Sequence, residues 1–148
     1  SPYRVDFFNE LGKLCDLTVT FEKYTSDERN DTWKEYHFEH FKGVVLKGKS
    51  TGVDSALCLD IVQHLKAETY DRIICGDFST PTGMLAIQYM RKHKMLYFLE
   101  ADGGTAKDGR GIKEKIKRYF IKDAAGYFST GRSGDHYFVT YGADPEKI

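Results

Sequence analysis

Net charge, long apolar runs, paired cysteines and internal repeats are all missing from this sequence. Basic and acidic residues balance at 22 each over 148 residues, so the formal net charge is zero. With no global excess of base, nothing in the totals points to nucleic acid. No apolar run approaches the roughly 18 to 20 residues of a membrane span. No leader-like segment opens the chain, so a cytoplasmic protein is expected. Cysteine is scarce, at Cys15, Cys58 and Cys75. An odd number without paired spacing predicts reduced thiols in a reducing compartment. Cys75, inside an apolar run, is expected in the core. His37-Phe38-Glu39-His40 is too short a spacing, without helical context or a nearby Cys, to predict a metal site. What is present is a soluble globular composition, 41% hydrophobic and rich in aromatics, with 10 Tyr and 10 Phe. The length suits one domain with a real core.

The apolar spacing predicts alternating strands and helices. Val5, Phe8, Leu11 and Leu14 mark an opening helix over 3–14. Leu17 to Phe21 reads as a strand, Lys23 to Asn30 as a polar loop, and the stretch from His40 to Leu46 holds a second strand. A helix is expected over 53–68, then a strand over 71–76. Thr80 and Pro81 open the next helix as cap and first-turn proline, and it runs to about Lys94. A strand over 95–99, a helix over 112–122, a strand over 126–130 and a helix over 133–141 closed by Gly142 complete the series. Repeated βαβ alternation predicts an α/β fold, a Rossmann-like open parallel sheet with helices on both faces. The chain opens on a helix. It is therefore expected to be a single Rossmann-like domain, 1–148, lacking its first strand and belonging to something larger.

Chemistry is expected at the carboxyl ends of the parallel strands, where ligands of open α/β sheets bind. Tyr97-Phe98-Leu99 runs into Glu100-Ala101-Asp102-Gly103-Gly104, an apolar strand ending in two carboxylates and a double glycine. The glycines permit positive φ or a close approach of backbone to ligand. Gly76-Asp77-Phe78-Ser79-Thr80 and Thr130-Gly131-Arg132-Ser133-Gly134-Asp135 carry the same ingredients after two other strands. Amides at the following helix N-termini attract anions. Well-capped helices would give the same pattern, but three such ends together favour a polar-ligand crevice. His136 lies near it, with a surface role the simpler account.

Gly43-Val44-Val45-Leu46-Lys47-Gly48-Lys49-Ser50 satisfies the letter of a phosphate loop, which would make the chain a nucleotide hydrolase. However, β-branched residues fill the loop positions and are poor material for wrapping amides around phosphate. If Val44 to Leu46 is a strand, that alternative fails. A non-catalytic Rossmann-like binding domain is the third reading. The helix over 112–122 carries Lys113, Lys115, Lys117, Arg118 and Lys122 beside Ile112, Ile116, Tyr119 and Phe120. Its apolar stripe is expected on the sheet and its basic face in solvent, where it could also meet an anionic membrane.

Several segments together resemble the amino-terminal domain of glycosyltransferase family 4, of the capsule and surface-polysaccharide type. They are Pro2-Tyr3-Arg4-Val5-Asp6-Phe7-Phe8-Asn9-Glu10-Leu11, the Tyr70 to Ile74 run, Glu100 to Gly104 followed by a Lys-rich helix, Ser129-Thr130-Gly131 with Ser133, and Tyr141-Gly142-Ala143 ahead of Ile148. The resemblance covers nearly the whole chain. It implies the two-domain GT-B fold, with this chain as the acceptor-binding half and a nucleotide-sugar donor domain absent. It also implies retention of configuration without a metal, no cofactor beyond the donor substrate, and a glycan acceptor, lipid-linked in this setting. Many relatives place a His after the strand that here ends at Leu99. This sequence has Glu100-Ala101-Asp102 instead, which moves the expected catalytic role to Asp102, with Glu100 second. Arg4, Gly103, Gly104, Asp77, Ser79, Thr130, Arg132 and Ser133 are the expected substrate contacts.

Overall fold

The structure is a computed structural model that describes residues 2–22, 38–52, 55–106, 109 and 111–148. Residues 23–37, which hold the expected polar loop and His37, lie outside the described residues. The chain divides into two compact units, 1–61 and 62–148.

The first unit opens with helix α1, Pro2–Gly12. Strand β1, Thr18–Phe21, pairs in parallel with β2, Lys42–Val45, in the register Thr18↔Lys42 to Phe21↔Val45. The ladder continues past β2, because Leu46 N donates to Phe21 O at 2.8 Å. Phe8, Phe21, Phe38 and Phe41 form a ring cluster, with Phe21 stacked on Phe38 at 5.4 Å and Phe38 at 4.9 Å from Phe41. Much of the high aromatic content of this half is used there, where offset and edge-on ring contacts add to area burial.

One expected element is corrected in this unit. The helix read over 53–68 begins only at Ile61. Ahead of it, β3, Lys49–Gly52, pairs antiparallel with β4, Ser55–Leu57, through Lys49↔Leu57 and Ser50↔Ala56. Helix α2 is Ile61–Ala67. The apolar positions 56 to 59 fit a strand equally well: Ala56 and Cys58 are buried while Leu57 and Leu59 face out. Short apolar runs are ambiguous between the two periods, and here pairing with a neighbouring strand decides.

The second unit follows the expected alternation, but the strand expected over 95–99 runs over Phe98–Ala101 instead, so Glu100 lies within the ladder opposite Phe128. Strand β5, Ile74–Cys75, precedes α3, Pro81–Lys92. Strand β6, Phe98–Ala101, then leads into α4, Ile112–Ile121, and β7, Gly126–Ser129, into α5, Arg132–Thr140. A 3-10 turn over Pro145–Lys147 follows α5. The sheet order is β5-β6-β7, all parallel, with Leu99 opposite Cys75 on one side and Tyr127 on the other. Its core is Ile87, Met90, Leu99, Ile121, Phe138 and Tyr141, each 0 or 1% exposed. Burying one such side chain stabilises the fold by about 1.5 to 3 kcal/mol. Cys75 is half-buried; Cys58 is the fully buried cysteine.

The molecule is thus mixed α/β, with five α-helices and small parallel sheets among the described residues. In the second unit α3 and α4 are neighbours. Arg91 Nη1 donates to Tyr119 O at 2.7 Å, its guanidinium lies 4.3 Å from the Tyr119 ring centroid, and it pairs with Asp123. Right-handed crossovers between strands in sequential order put successive helices on one face, as this contact requires.

Candidate functional site

Three strand ends of the second unit carry the polar groups. Strand β6 ends at Ala101, and the backbone then turns through Gly103 at φ 79° and Gly104 at φ 147°. Both values suit glycine and strain other residues. A Cβ on Gly103 would meet nothing within 4 Å, whereas one on Gly104 would stand 2.8 Å from the Tyr137 ring. Gly103 is therefore set by backbone conformation, and Gly104 also by close packing on α5.

Asp102 is exposed at this turn, and its Oδ1 accepts a hydrogen bond from Thr130 Oγ1 at 3.0 Å. Register explains the pairing: Ala101 lies opposite Ser129 in the ladder, so the next residues of the two chains meet beyond the sheet. Ser133 Oγ donates to Gly104 O at 2.9 Å, tying the first turn of α5 to the glycine loop. Ser129 Oγ donates to Gly131 O at 2.9 Å and accepts from Gly131 N at 3.3 Å, closing the tight turn at Gly131, φ 144°. Gly131 caps α5 without a side-chain hydrogen bond. A Cβ on Gly134 would lie 2.4 Å from Ser129 Oγ, so a side chain there would push that hydroxyl from its bonds at Gly131.

Glu100, half-buried, belongs to the opposite edge of the same strand end. A Cβ built on Gly76 would lie 3.7 Å from Glu100 Oε2, which places this carboxylate beside the end of β5. Asp77 and Ser79 are exposed in the turn that follows. Thr80 caps α3: its Oγ1 donates to Asp77 O at 2.9 Å and accepts from Gly83 N at 3.1 Å. One amide expected to be available to an anion is therefore taken by the cap, and Thr80 and Thr82 are buried.

The structure thus brings Asp102, Gly103, Gly104, Thr130 and Ser133 into one bonded cluster, with Arg132 exposed next to it in the chain and Glu100 and Asp77 at the neighbouring strand end. Arg4 belongs to the first unit, where its guanidinium lies over the Phe8 ring at 5.2 Å. Tyr137 was not anticipated. It forms the wall behind Gly104 and carries Lys117 Nζ at 5.1 Å from its ring centroid. The helical spacing of Ser133, Tyr137 and Tyr141 was the available signal. Burial would lower the Lys117 ammonium pKa, but hydrogen bonds and charge interactions with Tyr137 and Tyr141 outweigh it and hold the pKa above its ordinary value.

The phosphate-loop pattern does not survive. Val44 and Val45 lie in β2, paired with β1, and Leu46 N continues the ladder, so the stretch after Gly43 is held as strand and is not free to wrap a phosphate. The amide of Lys47 is taken by Asp60 Oδ2 at 2.8 Å, and a Cβ on Gly48 would sit 2.3 Å from Leu57 O. Backbone that should cradle phosphate is used internally. Among the described residues, no group of three or more His, Cys, Asp and Glu side chains is placed to hold a metal ion. No helix among them is long and apolar enough to cross a membrane.

A strand-end cluster of this kind can receive a polyhydroxylated ligand. Asp102 is oriented from one side by Thr130, the glycine loop has no side chains to shield its backbone, and the carboxylates at adjacent strand ends accept hydrogen bonds. Comparison of the chain with protein-family models, with curated proteins and with solved structures gives no match.

Proposed function

We propose that this chain is the acceptor-side domain of a retaining glycosyltransferase. It would serve transfer of a sugar from a nucleotide-sugar donor to a glycan carried on a lipid, in the synthesis of a surface polysaccharide. The observation that carries this reading is the cluster at the carboxyl end of β6. There Asp102 is fixed by Thr130, and two glycines of positive φ leave the backbone open. The sequence resemblance to glycosyltransferase family 4 supplies the reaction class. On this reading the fold is of the Rossmann-like type, an open parallel sheet with helices on both faces, and a second domain binds the donor.

The chemistry asked of the cluster is modest. Glycosyl transfer passes through an oxocarbenium-like state, with positive charge growing at the sugar carbon. The acceptor hydroxyl must approach that carbon in a fixed orientation. Asp102 accepts the acceptor's hydrogen bond and lends negative charge near the reacting centre. Thr130 and Ser133 hold the two sides of the loop in place. Glu100 supports the neighbouring edge, with Asp77 and Ser79 as outer contacts. Positive groups and amides are needed at the leaving diphosphate, and Arg132, exposed beside the cluster, is the candidate of the second unit.

The test uses radiolabelled nucleotide sugars and a bacterial lipid extract. The full-length protein that contains residues 1–148 is expected to move label into the lipid fraction, and the 148-residue chain alone to move none. Label transfer or nucleotide-sugar consumption by the short chain above a boiled control would contradict the assignment. So would failure of the full-length protein with every donor while it remains folded.

A further inference from the structure

Helix α4 presents an apolar stripe to solvent, contrary to the expectation that its apolar residues pack on the sheet. Ile112 is 79% exposed, Ile116 40% and Tyr119 42%, whereas Phe120 and Ile121 are buried. Positions 112, 116 and 119 follow i, i+4, i+7 spacing and so share one face. Lys115 and Lys122, seven residues apart, run along one side of that stripe, and Lys113 stands on the other; all three are exposed. Lys117 and Arg118 are half-buried, and Lys117 Nζ is drawn over the rings of Tyr137 and Tyr141 at 5.1 and 4.9 Å. Residues 112–122 hold five basic groups against one acidic, Glu114, in a chain with no net charge.

From this arrangement we infer that the outer face of α4 docks on an anionic lipid surface, with Ile112, Ile116 and the edge of Tyr119 entering the headgroup boundary and Lys113, Lys115 and Lys122 meeting the lipid phosphates. An amphipathic helix with a basic rim lies in the membrane interface in this manner. Tyrosine suits that depth because its ring is apolar and its hydroxyl polar. Tyr119 is held ready by Arg91 against its ring and by Gln88 Nε2, which donates to its hydroxyl oxygen at 3.0 Å. The charge pattern selects lipid over a second copy. Self-association would bring two copies of the same positively charged face together, which like-charge repulsion opposes. Protein interfaces are also depleted in lysine. Three apolar side chains are too few to anchor the chain alone, so both terms are needed and the attachment is reversible. The surface would dock in this way whatever reaction the chain serves.

The experiment is co-sedimentation of the 148-residue chain with vesicles of equimolar phosphatidylcholine and phosphatidylglycerol, against vesicles of phosphatidylcholine alone. Binding is expected to the anionic vesicles only. It should fall as salt shortens the screening length from about 10 Å at 0.1 M to about 3 Å at 1 M. Replacing Lys113, Lys115 and Lys122 together by Gln should lower the partition coefficient on the order of a hundredfold, each lysine being worth about fivefold. Ile112→Ser with Ile116→Ser should also lower it. Both variants are checked for wild-type circular dichroism, and the comparison of lipids and salts needs no variant. Three results would overturn the inference: equal binding to neutral vesicles, no binding at low salt, or a self-association that the same substitutions abolish. No nucleotide sugar is present, so failure here leaves the glycosyl-transfer reading standing, and failure there leaves this one.

Discussion

Asp102 is the residue on which the functional reading turns. On the proposed glycosyl-transfer reading, Asp102→Asn keeps the size and the bond from Thr130 but removes the charge. Turnover is expected to drop roughly a hundredfold or more, the scale seen when one electrostatic stabiliser is lost. Steady-state kinetics check this, and a variant within a few-fold of wild type would contradict the role. Glu100→Gln should matter less. Asp102, Gly103 and Gly104 were legible in the sequence because an apolar run ending in carboxylate and glycine is a local pattern. The bond from Thr130, 28 residues away, was not, since it depends on the register of β6 with β7. Two buried tyrosines make a second contrast. Burial raises the phenol pKa of Tyr97 to about 12, and its hydroxyl has no hydrogen-bond partner among the described residues. Burial also raises the pKa of Tyr127, but its hydroxyl donates to Ile121 O at 2.7 Å. A raised folded pKa means that the unfolded chain ionises first. The stabilisation from neutral Tyr97 is therefore complete below pH 10 and is lost as pH rises from there through about 12. Tyr97→Phe is expected to leave stability at neutral pH within about 0.5 kcal/mol and to flatten the alkaline loss, whereas Tyr127→Phe should cost about 1 kcal/mol. Urea unfolding at several pH values measures both. A Tyr97→Phe loss well beyond that margin at neutral pH would show that the hydroxyl is paired.

Helix α3 shows how well a sequence can announce an element whose ends carry local chemistry. Thr80 and Pro81 open it as expected, and the Thr80 cap is made. Thr80→Ala should destabilise the protein by about 1 kcal/mol, with Thr80→Ser close to wild type. The other end is less well designed. After His93 the chain passes through Lys94 at φ 56°, the left-handed region that glycine adopts without strain. Lys94→Gly is accordingly expected to stabilise by up to about 1 kcal/mol, read as a raised midpoint in urea. A lowered midpoint would mean that the lysine side chain makes a contact worth more than the strain. The β3–β4 hairpin was not legible. Its strands are three and four residues long, and Gly48 is required by the closeness of Leu57 O, a fact of tertiary approach. A helical pattern over Ala56, Leu57, Leu59 and Ile61 concealed it. The outward turn of α4 was likewise hidden, since periodicity shows that Ile112, Ile116 and Tyr119 share a face but not whether that face is buried.

For the molecule as a whole, the βαβ rhythm was the strongest signal and it holds best in the second unit, where three parallel strands bring their carboxyl ends together. The first unit mixes a parallel pair with a hairpin, and the strand at Lys42–Val45 removes the phosphate-loop alternative. The central claim is that the edge formed after β6 and β7 is the sugar-acceptor surface. Amide NMR on the labelled 148-residue chain tests it most directly, by titration with a soluble alkyl glycoside and separately with adenosine triphosphate. The glycoside should shift the amides of Glu100 to Gly104 and of Thr130 to Ser133, and the nucleotide should leave Gly43 to Ser50 unmoved. A glycoside footprint elsewhere in the chain, or nucleotide shifts confined to Gly43 to Ser50, would contradict the account.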